Sequence, residues 1–206
     1  MNPNYLPGHI VGVQGGFLAE AQYHIFEPQT RLYHFLVIRS RLEEEDDYEI
    51  IEMRGHGCDI GRLSWYGGSY YVVYELADPE AGPLGKKAAK YASKFGRACY
   101  KFLRFFRLPA DLVRCWSLQM AREHRIRRIR PDELKWAADD TMVCTELARA
   151  IWLEVGKDPL EPGDAALPSA FVRAEQTGRL RVVDVHYPKR RGGQTQCTAY
   201  PAGRPA

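Results

Sequence analysis

The chain has 206 residues with an ordinary globular composition and a formal net charge of +3, so its length fits one domain with a substantial core, or a domain with a subdomain. It contains no run of about 18 apolar residues and no basic region followed by an apolar one at its start, which argues against a transmembrane helix and a secretory signal. We therefore expect a cytoplasmic protein.

The first 76 residues are predicted to be largely strand. A short helix at 16–27, which Pro28 ends, interrupts this pattern, and residues 33–53 are predicted to form a β-hairpin whose acidic turn from Glu43 to Asp47 lies in solvent. Gly55 and Gly57 break the hairpin. The strands are predicted from alternation and from β-branched and aromatic residues, at 8–14, 32–39, 48–53, 58–63 and 69–76.

Helices are predicted to dominate after residue 76. Apolar and basic side chains lie on opposite faces of a helix that starts near Lys86 and that Pro109 closes, and a second helix follows at about 110–128. The segment 86–130 carries 14 Lys and Arg residues against two acidic ones, a net charge of about +12, while the remaining residues carry about −9. This basic helical insertion is therefore the main charge feature of the chain.

Three interpretations of segment 86–130 remain open at this point. A solvated helix face is the default for a charged run. An amphipathic helix that bears Phe95, Phe102, Phe105 and Phe106 beside its basic residues also suits an anionic membrane surface. Nucleic acid would bind through its phosphates, but no recognised nucleic-acid motif accompanies the segment, so we do not expect that partner.

The C-terminal part contains the element of greatest chemical interest. Apolar residues recur at helical spacing after Cys144, so we expect a helix that Thr141 or Asp140 caps and Gly156 ends. A short helix at 168–177 and a final strand at 179–185 follow. The tail at 189–206 is rich in Gly, Pro, Arg and Thr and is predicted to be disordered, which leaves a single domain at 1–188.

Cys144 is the candidate nucleophile. A cysteine in the first turn of a helix feels the positive end of the helix dipole, which favours the thiolate. The alternative is a core cysteine that only packs. The chain has no close cysteine pair that would suggest a zinc site, so we expect free thiols and no metal or cofactor at the five positions: Cys58, Cys99, Cys115, Cys144 and Cys197.

A nucleophilic cysteine needs a base, and the base needs an orienting partner. His34 lies in the most apolar early strand, where a polar ring needs a hydrogen-bond partner, although a satisfied core histidine is the alternative. Glu52 lies on the next strand and can face His34, whereas Glu49 alternates to the other side. His56 is the rival base. The other four histidines are expected to be structural: His9, His24, His124 and His186.

The order of these pieces resembles that of the circularly permuted NlpC-type hydrolases, papain-like thiol enzymes of the YiiX and YebB kind. In the permuted order, histidine and acid precede the cysteine helix. The matching segments are Pro7-Gly8-His9-Ile10-Val11-Gly12-Val13, Tyr33-His34-Phe35-Leu36-Val37-Ile38, Tyr48-Glu49-Ile50-Ile51-Glu52-Met53, Ser69-Tyr70-Tyr71-Val72-Val73-Tyr74 and Val143-Cys144-Thr145-Glu146-Leu147, followed by Pro168-Ser169.

This chain departs from the family pattern at three places. It has Gly8-His9 where the family often has Gly-Asp, and it has Phe35 and Leu36 where the family often has a small residue after the histidine. The basic insertion at 86–130 has no counterpart that we can match. The second departure implies a narrower or differently shaped pocket.

The resemblance implies an α+β fold of permuted papain-like type, in which a small antiparallel sheet packs on helices and carries the basic helical insertion. It implies that Cys144 is the nucleophile, His34 the base and Glu52 the orienting residue of an amidase or peptidase that forms a thioester with a peptide or cell-wall amide. Two alternatives are a thiol acyltransferase or lipid hydrolase at a membrane surface, and a non-enzymatic module that binds an anionic partner through the insertion.

Overall fold

The computed structural model describes residues 4–54, 57–95, 99–100, 102–134 and 141–188. Eight strands and five α-helices lie in these ranges. In chain order they are β1 (Ile10–Gln14), α1 (Gly16–Ile25), β2 (Leu32–Leu42), β3 (Asp47–Arg54), β4 (Gly57–Arg62), β5 (Tyr71–Leu76), α2 (Ala81–Tyr91), β6 (Cys99–Tyr100), α3 (Phe102–Glu123), β7 (Thr141–Met142), α4 (Cys144–Leu153), α5 (Pro168–Gln176) and β8 (Leu180–His186).

Six strands form one antiparallel sheet in the order β4-β3-β2-β1-β5-β8. The two ends of this sheet approach each other. Tyr5 joins β3 to β8, which are four positions apart in the sheet: its N–H donates to the hydroxyl of Tyr48 at 3.2 Å, and its own hydroxyl donates to Oδ2 of Asp184. The sheet is therefore strongly curled, and the predicted α+β class and antiparallel hairpin are confirmed.

The curled sheet separates two hydrophobic cores. Its inner face encloses Leu36, Ile38 and Ile50, together with aromatic rings that the N-terminal segment and the strands contribute. Its outer face packs against α2, α4 and α5, where the Phe35 ring stacks on Phe171 with 4.3 Å between centroids. Burying both faces explains why the strands are almost continuously apolar rather than strictly alternating.

The N-terminal segment holds α2 and α4 against the sheet. Nε1 of Trp152 on α4 donates a hydrogen bond to the carbonyl oxygen of Gly8 at 3.0 Å. A Cβ atom on Gly85 of α2 would lie 2.2 Å from the carbonyl oxygen of Pro7, so only glycine permits this contact. These contacts fix the position of the helix that begins with Cys144.

The predicted helix boundaries in the basic insertion are wrong. The first helix stops at Tyr91, a 3₁₀ turn and β6 follow, and β6 pairs in parallel with β7. The next helix, α3, then runs through Pro109 instead of starting after it. An internal proline costs about 3 kcal/mol, and the buried stripe of α3, which includes Leu112 and Cys115, offsets this cost.

The acidic turn predicted from Glu43 to Asp47 is one residue too long, because β3 begins at Asp47. Asp47 is not in the solvated turn, because it is buried and accepts hydrogen bonds from the backbone and hydroxyl of Ser64.

In the part of the chain that the structure describes, no helix is long and apolar enough to cross a membrane. The tail predicted to be disordered, at 189–206, lies outside the described residues.

Candidate active site

Cys144 is the first residue of α4, as the sequence predicts. The expected cap is wrong: the N-terminal cap position is Val143, whose N–H donates to Oε2 of Glu146 at 2.9 Å, while Thr141 belongs to β7. Asp140 lies outside the described residues. The buried side of α4 consists of the predicted residues, which include Leu147 and Trp152, so packing directs the start of the helix at the sheet.

A bulge in β2 prepares the place where α4 meets the sheet. Val13 of β1 pairs with His34, but the next residue, Gln14, pairs with Leu32, so Tyr33 is an extra residue in the ladder. Leu32 therefore packs on the same face as Phe35, three positions away. Such bulges redirect side chains beside functional sites, and here the bulge places the backbone of Tyr33 and the ring of His34 beside Cys144.

The structure brings Cys144 and His34 into contact. The Cys144 sulfur lies 3.7 Å from the carbonyl oxygen of Tyr33 and interacts with the neighbouring His34 ring, which raises the pKa of the histidine and lowers that of the thiol. Oε2 of Glu52 lies 2.9 Å from Nε2 of the same ring. His34 is therefore adjacent to Cys144 and hydrogen-bonded to Glu52.

Strand register explains why Glu52 rather than Glu49 reaches the histidine. Glu52 of β3 pairs with Leu36 of β2, two residues from His34, so the two side chains are diagonal neighbours on one face. Glu49 points to the other face, where its Oε2 accepts hydrogen bonds from Arg39 at 2.8 Å and Ser40 at 3.0 Å. The alternative carboxylate is therefore engaged elsewhere.

Two residues that the sequence analysis missed complete the surroundings of Glu52. Arg54 places Nε at 3.0 Å and Nη2 at 2.7 Å from Oε1 of Glu52, and its guanidinium lies over the Trp65 ring, 4.7 Å from the centroid. The Tyr66 hydroxyl donates to Oε2. Arg54 follows Glu52 by two positions on the same strand, and this spacing could have revealed it. Tyr66 comes from a turn and left no local signal.

Gly61 provides the space for this arrangement. It lies on β4, and a Cβ atom there would be 2.6 Å from Oε1 of Glu52 and 2.8 Å from Cζ3 of Trp65. Distances below 3.0 Å force a neighbour to move. Glycine at this position therefore lets the fully buried Glu52 carboxylate lie against β4 and still reach His34.

The electrostatics of the chain follow from these contacts. Burial by itself would raise the pKa of Glu52, but hydrogen bonds from His34, Tyr66 and Arg54 outweigh it and lower the pKa to about 2. Burial would lower the pKa of His34, but its bonds to Cys144 and Glu52 raise the pKa to about 9. The pair thus favours a charged histidine beside a carboxylate at neutral pH.

The same contacts favour the thiolate form of Cys144. Burial raises the pKa of this thiol, but the hydrogen bond and the charge of His34, followed by the backbone N–H groups of Phe35 and Thr145, bring the pKa below its usual value. In contrast, burial raises the pKa of Cys58 to about 11 and also raises the pKa of Cys115. Of these three thiols, Cys144 is the one whose pKa is lowered.

The other histidines that the structure describes contact residues outside this site. His9 is buried, accepts a hydrogen bond at Nδ1 from the backbone N–H of Leu6 at 3.3 Å, and has a pKa lowered by burial despite Glu75. His24 is exposed beside Glu20, and His124 is exposed at the end of α3. The rival base, His56, lies outside the described residues.

His34 is the side chain that the other two site residues share. Its Nε2 lies 2.9 Å from Oε2 of Glu52, and Cys144 interacts with the same ring. Across the described ranges of the chain, no group of three or more His, Cys, Asp or Glu side chains is placed to hold a metal ion. This geometry suits proton transfer between neighbouring groups.

Comparison with known proteins identifies a similar fold. No protein-family model matches the sequence, and no curated protein matches it. The crystal structure of YiiX from Escherichia coli O157:H7, which is described as a metalloprotein, superposes with a TM-score of 0.58 at 14% sequence identity. The match covers 89% of this chain and 98% of YiiX. The chain therefore has a YiiX-like fold, and at this identity the comparison shows the fold alone.

Proposed function

We propose that the protein is a cysteine hydrolase of permuted papain-like type that cleaves an amide bond. The observation that carries this proposal is that His34 lies beside Cys144 and is hydrogen-bonded to Glu52 at 2.9 Å. A nucleophile, a base and a residue that orients the base are the parts that covalent acyl transfer requires. Their order along the chain, with histidine and acid before cysteine, is that of the permuted family.

The chemistry follows from the charge state of the site. The Cys144 thiolate attacks the amide carbonyl, and the backbone N–H of Cys144 at the start of α4 stabilises the oxyanion. The C–N bond breaks as the His34 imidazolium gives its proton to the leaving nitrogen, which leaves a thioester on Cys144. His34 then removes a proton from water, and the resulting hydroxide attacks the thioester. The carboxylic acid leaves, and the thiolate–imidazolium pair of Cys144 and His34 is restored.

Glu52 acts on His34 rather than on substrate. Its position 2.9 Å from Nε2 fixes the ring orientation and stabilises the imidazolium that the first step requires. Arg54 and Tyr66 in turn keep Glu52 ionised. A carboxylate held this way remains charged at any pH where the thiolate exists, so the base stays correctly oriented throughout turnover.

The metal named in the description of YiiX is not transferred to this site. Zinc and similar ions need several donors that converge on one point, whereas Nε2 of His34 and Oε2 of Glu52 are engaged with each other at 2.9 Å. Arg54 on Oε1 of Glu52 also opposes a cation there. The described residues therefore do not fit a metal centre, and the proposed mechanism does not use one.

The same acyl-enzyme serves a second candidate function, a thiol acyltransferase or lipid hydrolase that works at a membrane surface. The observation that favours it is that α3 carries exposed apolar residues and exposed arginines, namely Val113, Leu118, Met120, Arg114 and Arg122. The two functions differ only in the acyl group and in the acceptor that resolves the thioester. Peptide, cell-wall amide and acyl-lipid substrates are therefore all part of the test.

The test is a search for the covalent intermediate. The protein is incubated with panels of peptide amides, cell-wall amides and acyl esters, and intact mass reports an acyl adduct while product analysis reports turnover. We expect an adduct on Cys144 that disappears in C144A and persists in C115A, which removes a buried thiol away from the site. Equal behaviour of C144A and wild type would overturn the proposal and leave a binding module in which Cys144 only packs.

A further inference from the structure

An open pocket of about 890 Å³ lies where the end of α1, the middle of α3, the loop after α3 and helix α5 meet. This volume is within the range of small-molecule sites in proteins, about 300–1,000 Å³. None of the three candidate catalytic residues lines the pocket, so it is separate from the site described above.

A short backbone ladder builds one wall of this pocket. The N–H of Ile129, in the loop after α3, donates to the carbonyl oxygen of Ile25, and the N–H of Glu27 donates to that of Ile129, both at 2.9 Å. The Ile129 side chain is fully buried. Because side chains alternate along an extended chain, its neighbours Arg128 and Arg130 point away from the core and line the pocket.

Positive charge predominates among the side chains that line the pocket, which include four arginines and one carboxylate. Two of these arginines are already neutralised. Arg127 lies 3.3 Å from Glu123 and 2.7 Å from Glu133, and Arg173 of α5 contacts two carboxylates in the same way. These ion pairs fix the walls of the pocket, so we do not assign them a ligand.

The other two arginines keep N–H groups for a ligand. Arg128 is exposed and forms no salt bridge with a carboxylate that the structure describes. Arg130 approaches Asp132 only to 3.7 Å, and Arg173 holds the same carboxylate oxygen at 2.9 Å. A guanidinium presents five N–H donors in a planar fork that matches a carboxylate or a phosphate. The pocket therefore offers two loosely engaged guanidinium groups to an oxyanion.

Apolar side chains lie beside these donors. Ile126 is 59% exposed, although it lines a concave surface, and the half-buried Trp116 and Pro28 line the same pocket. Aromatic and aliphatic walls with a few polar groups are typical of small-molecule sites, where the apolar walls bind the body of the ligand and the polar groups orient it.

We propose that this pocket binds a small molecule in which an oxyanion, either a carboxylate or a phosphate, is attached to a flat apolar body. The oxyanion pairs with Arg128 and Arg130, and the apolar body packs on Ile126 and Trp116. Glu27 also lines the pocket and opposes an anion, which gives the test a variant of opposite sign. This inference goes beyond the proposed hydrolase and does not depend on Cys144.

The experiment measures binding of 1-naphthyl phosphate and 1-naphthoate to the full chain by isothermal titration calorimetry, beside neutral 1-naphthamide and inorganic phosphate. We expect at least one naphthyl anion to bind about 10-fold or more tightly than the neutral amide and than inorganic phosphate. Its binding should weaken as salt is added. The preference between the two naphthyl anions identifies the oxyanion as a phosphate or a carboxylate. Equal or tighter binding of the amide would overturn the proposal.

Matched variants locate the binding. R128Q should weaken binding of the preferred anion about 10-fold or more, whereas R122Q, which removes an exposed arginine of α3 outside the pocket, should not. I126S should also weaken binding, whereas V113S, which replaces a similarly exposed residue outside the pocket, should not. E27Q should bind the anion at least as tightly as wild type does, because it removes a like charge.

Melting temperatures confirm that each variant is folded. Absence of binding by both naphthyl anions, equal losses in the pocket variants and their controls, or weaker binding in E27Q would contradict the inference. C144A should bind the anion as wild type does, so failure of the proposed hydrolase and failure of this inference remain distinguishable.

Discussion

The Nε2 atom of His34 lies 2.9 Å from Oε2 of Glu52, and the Glu52 side chain has no exposed surface. A carboxylate in such a place would normally take up a proton, because burial penalises its charge. Here the donors of His34, Tyr66 and Arg54 reverse that tendency. The site therefore maintains a buried negative charge next to the base, and the predictions below follow from it.

Alkylation of Cys144 should proceed at about pH 6, because His34 lowers the pKa of this thiol below its usual value. In H34A the burial that remains raises the pKa, so labelling should shift to alkaline pH. The measurement is the pH dependence of iodoacetamide labelling, read by peptide mass spectrometry. Cys58 and Cys115 serve as internal controls, since burial raises the pKa of both. Equal pH profiles for all three thiols would contradict the thiolate–imidazolium pair.

Hydrolysis should fall on the alkaline side with an apparent pKa near 9. The histidine is charged below its folded pKa of about 9 and loses its proton above it, and the leaving nitrogen then has no proton donor. Alkylation needs only the thiolate and should stay high over the same range. Comparing the two profiles on wild type separates the roles of His34 and Cys144. A parallel alkaline decline of both rates would indicate unfolding instead.

E52Q should reduce turnover by up to about 10⁴-fold, because an amide cannot stabilise the His34 imidazolium and can select the wrong tautomer. E49Q is the matched control. Glu49 lies on the same strand but faces Arg39 and Ser40, so its replacement should leave kcat unchanged. The measurement is kcat and kcat/KM with the substrate found in the panel. A similar loss in both variants would show that strand stability rather than histidine orientation is responsible.

Y66F should make the protein more sensitive to acid. The folded pKa of Glu52, about 2, is below its ordinary value of 4.5, so this group contributes stability above about pH 4.5 that is lost as the pH falls toward 2. The shift corresponds to about 3 kcal/mol. Without the Tyr66 hydroxyl the folded pKa of Glu52 rises, so stability should decline at a higher pH than in wild type. Urea unfolding over an acid pH series measures this.

The control for that series is E52Q, which removes the titrating group. Its free energy of unfolding should lose the part of the pH dependence that wild type and Y66F show, whatever its absolute stability. If Y66F and wild type decline at the same pH, the Tyr66 hydroxyl does not govern the ionisation of Glu52.

G61A should displace Glu52 and lower both activity and stability, the latter by about 1–3 kcal/mol, since a Cβ atom at Gly61 overlaps Oε1 of Glu52 and the Trp65 ring. G68A is the matched control, because a Cβ atom there meets nothing within 4 Å. Thermal unfolding and kcat together provide the measurement. Unchanged kcat in a destabilised G61A would show that the carboxylate accommodates the methyl group without losing His34.

The sequence predicted the elements that carry the candidate site. Alternation in β2 and β3 assigned Glu52 and Glu49 to opposite faces, and the apolar spacing after Cys144 placed this residue at the start of a buried helix. These features succeed because side-chain direction in a strand or helix depends only on local position. The helix boundaries predicted in the basic insertion were wrong, because periodicity by itself did not show that α3 continues through Pro109.

The sequence by itself determined the α+β class and the hairpin, because hydrophobic period and strand alternation are local properties. It also predicted, through a family resemblance, the three residues that the proposed mechanism uses. Only the tertiary structure decided that Tyr66 and Arg54 surround Glu52, that Gly61 leaves room for it, and that Val113, Leu118 and Met120 of α3 stay exposed. These facts depend on which distant segments meet when the sheet curls and the helices pack. Long-range contacts of this kind follow from the burial of the whole chain, and no short stretch of sequence records them.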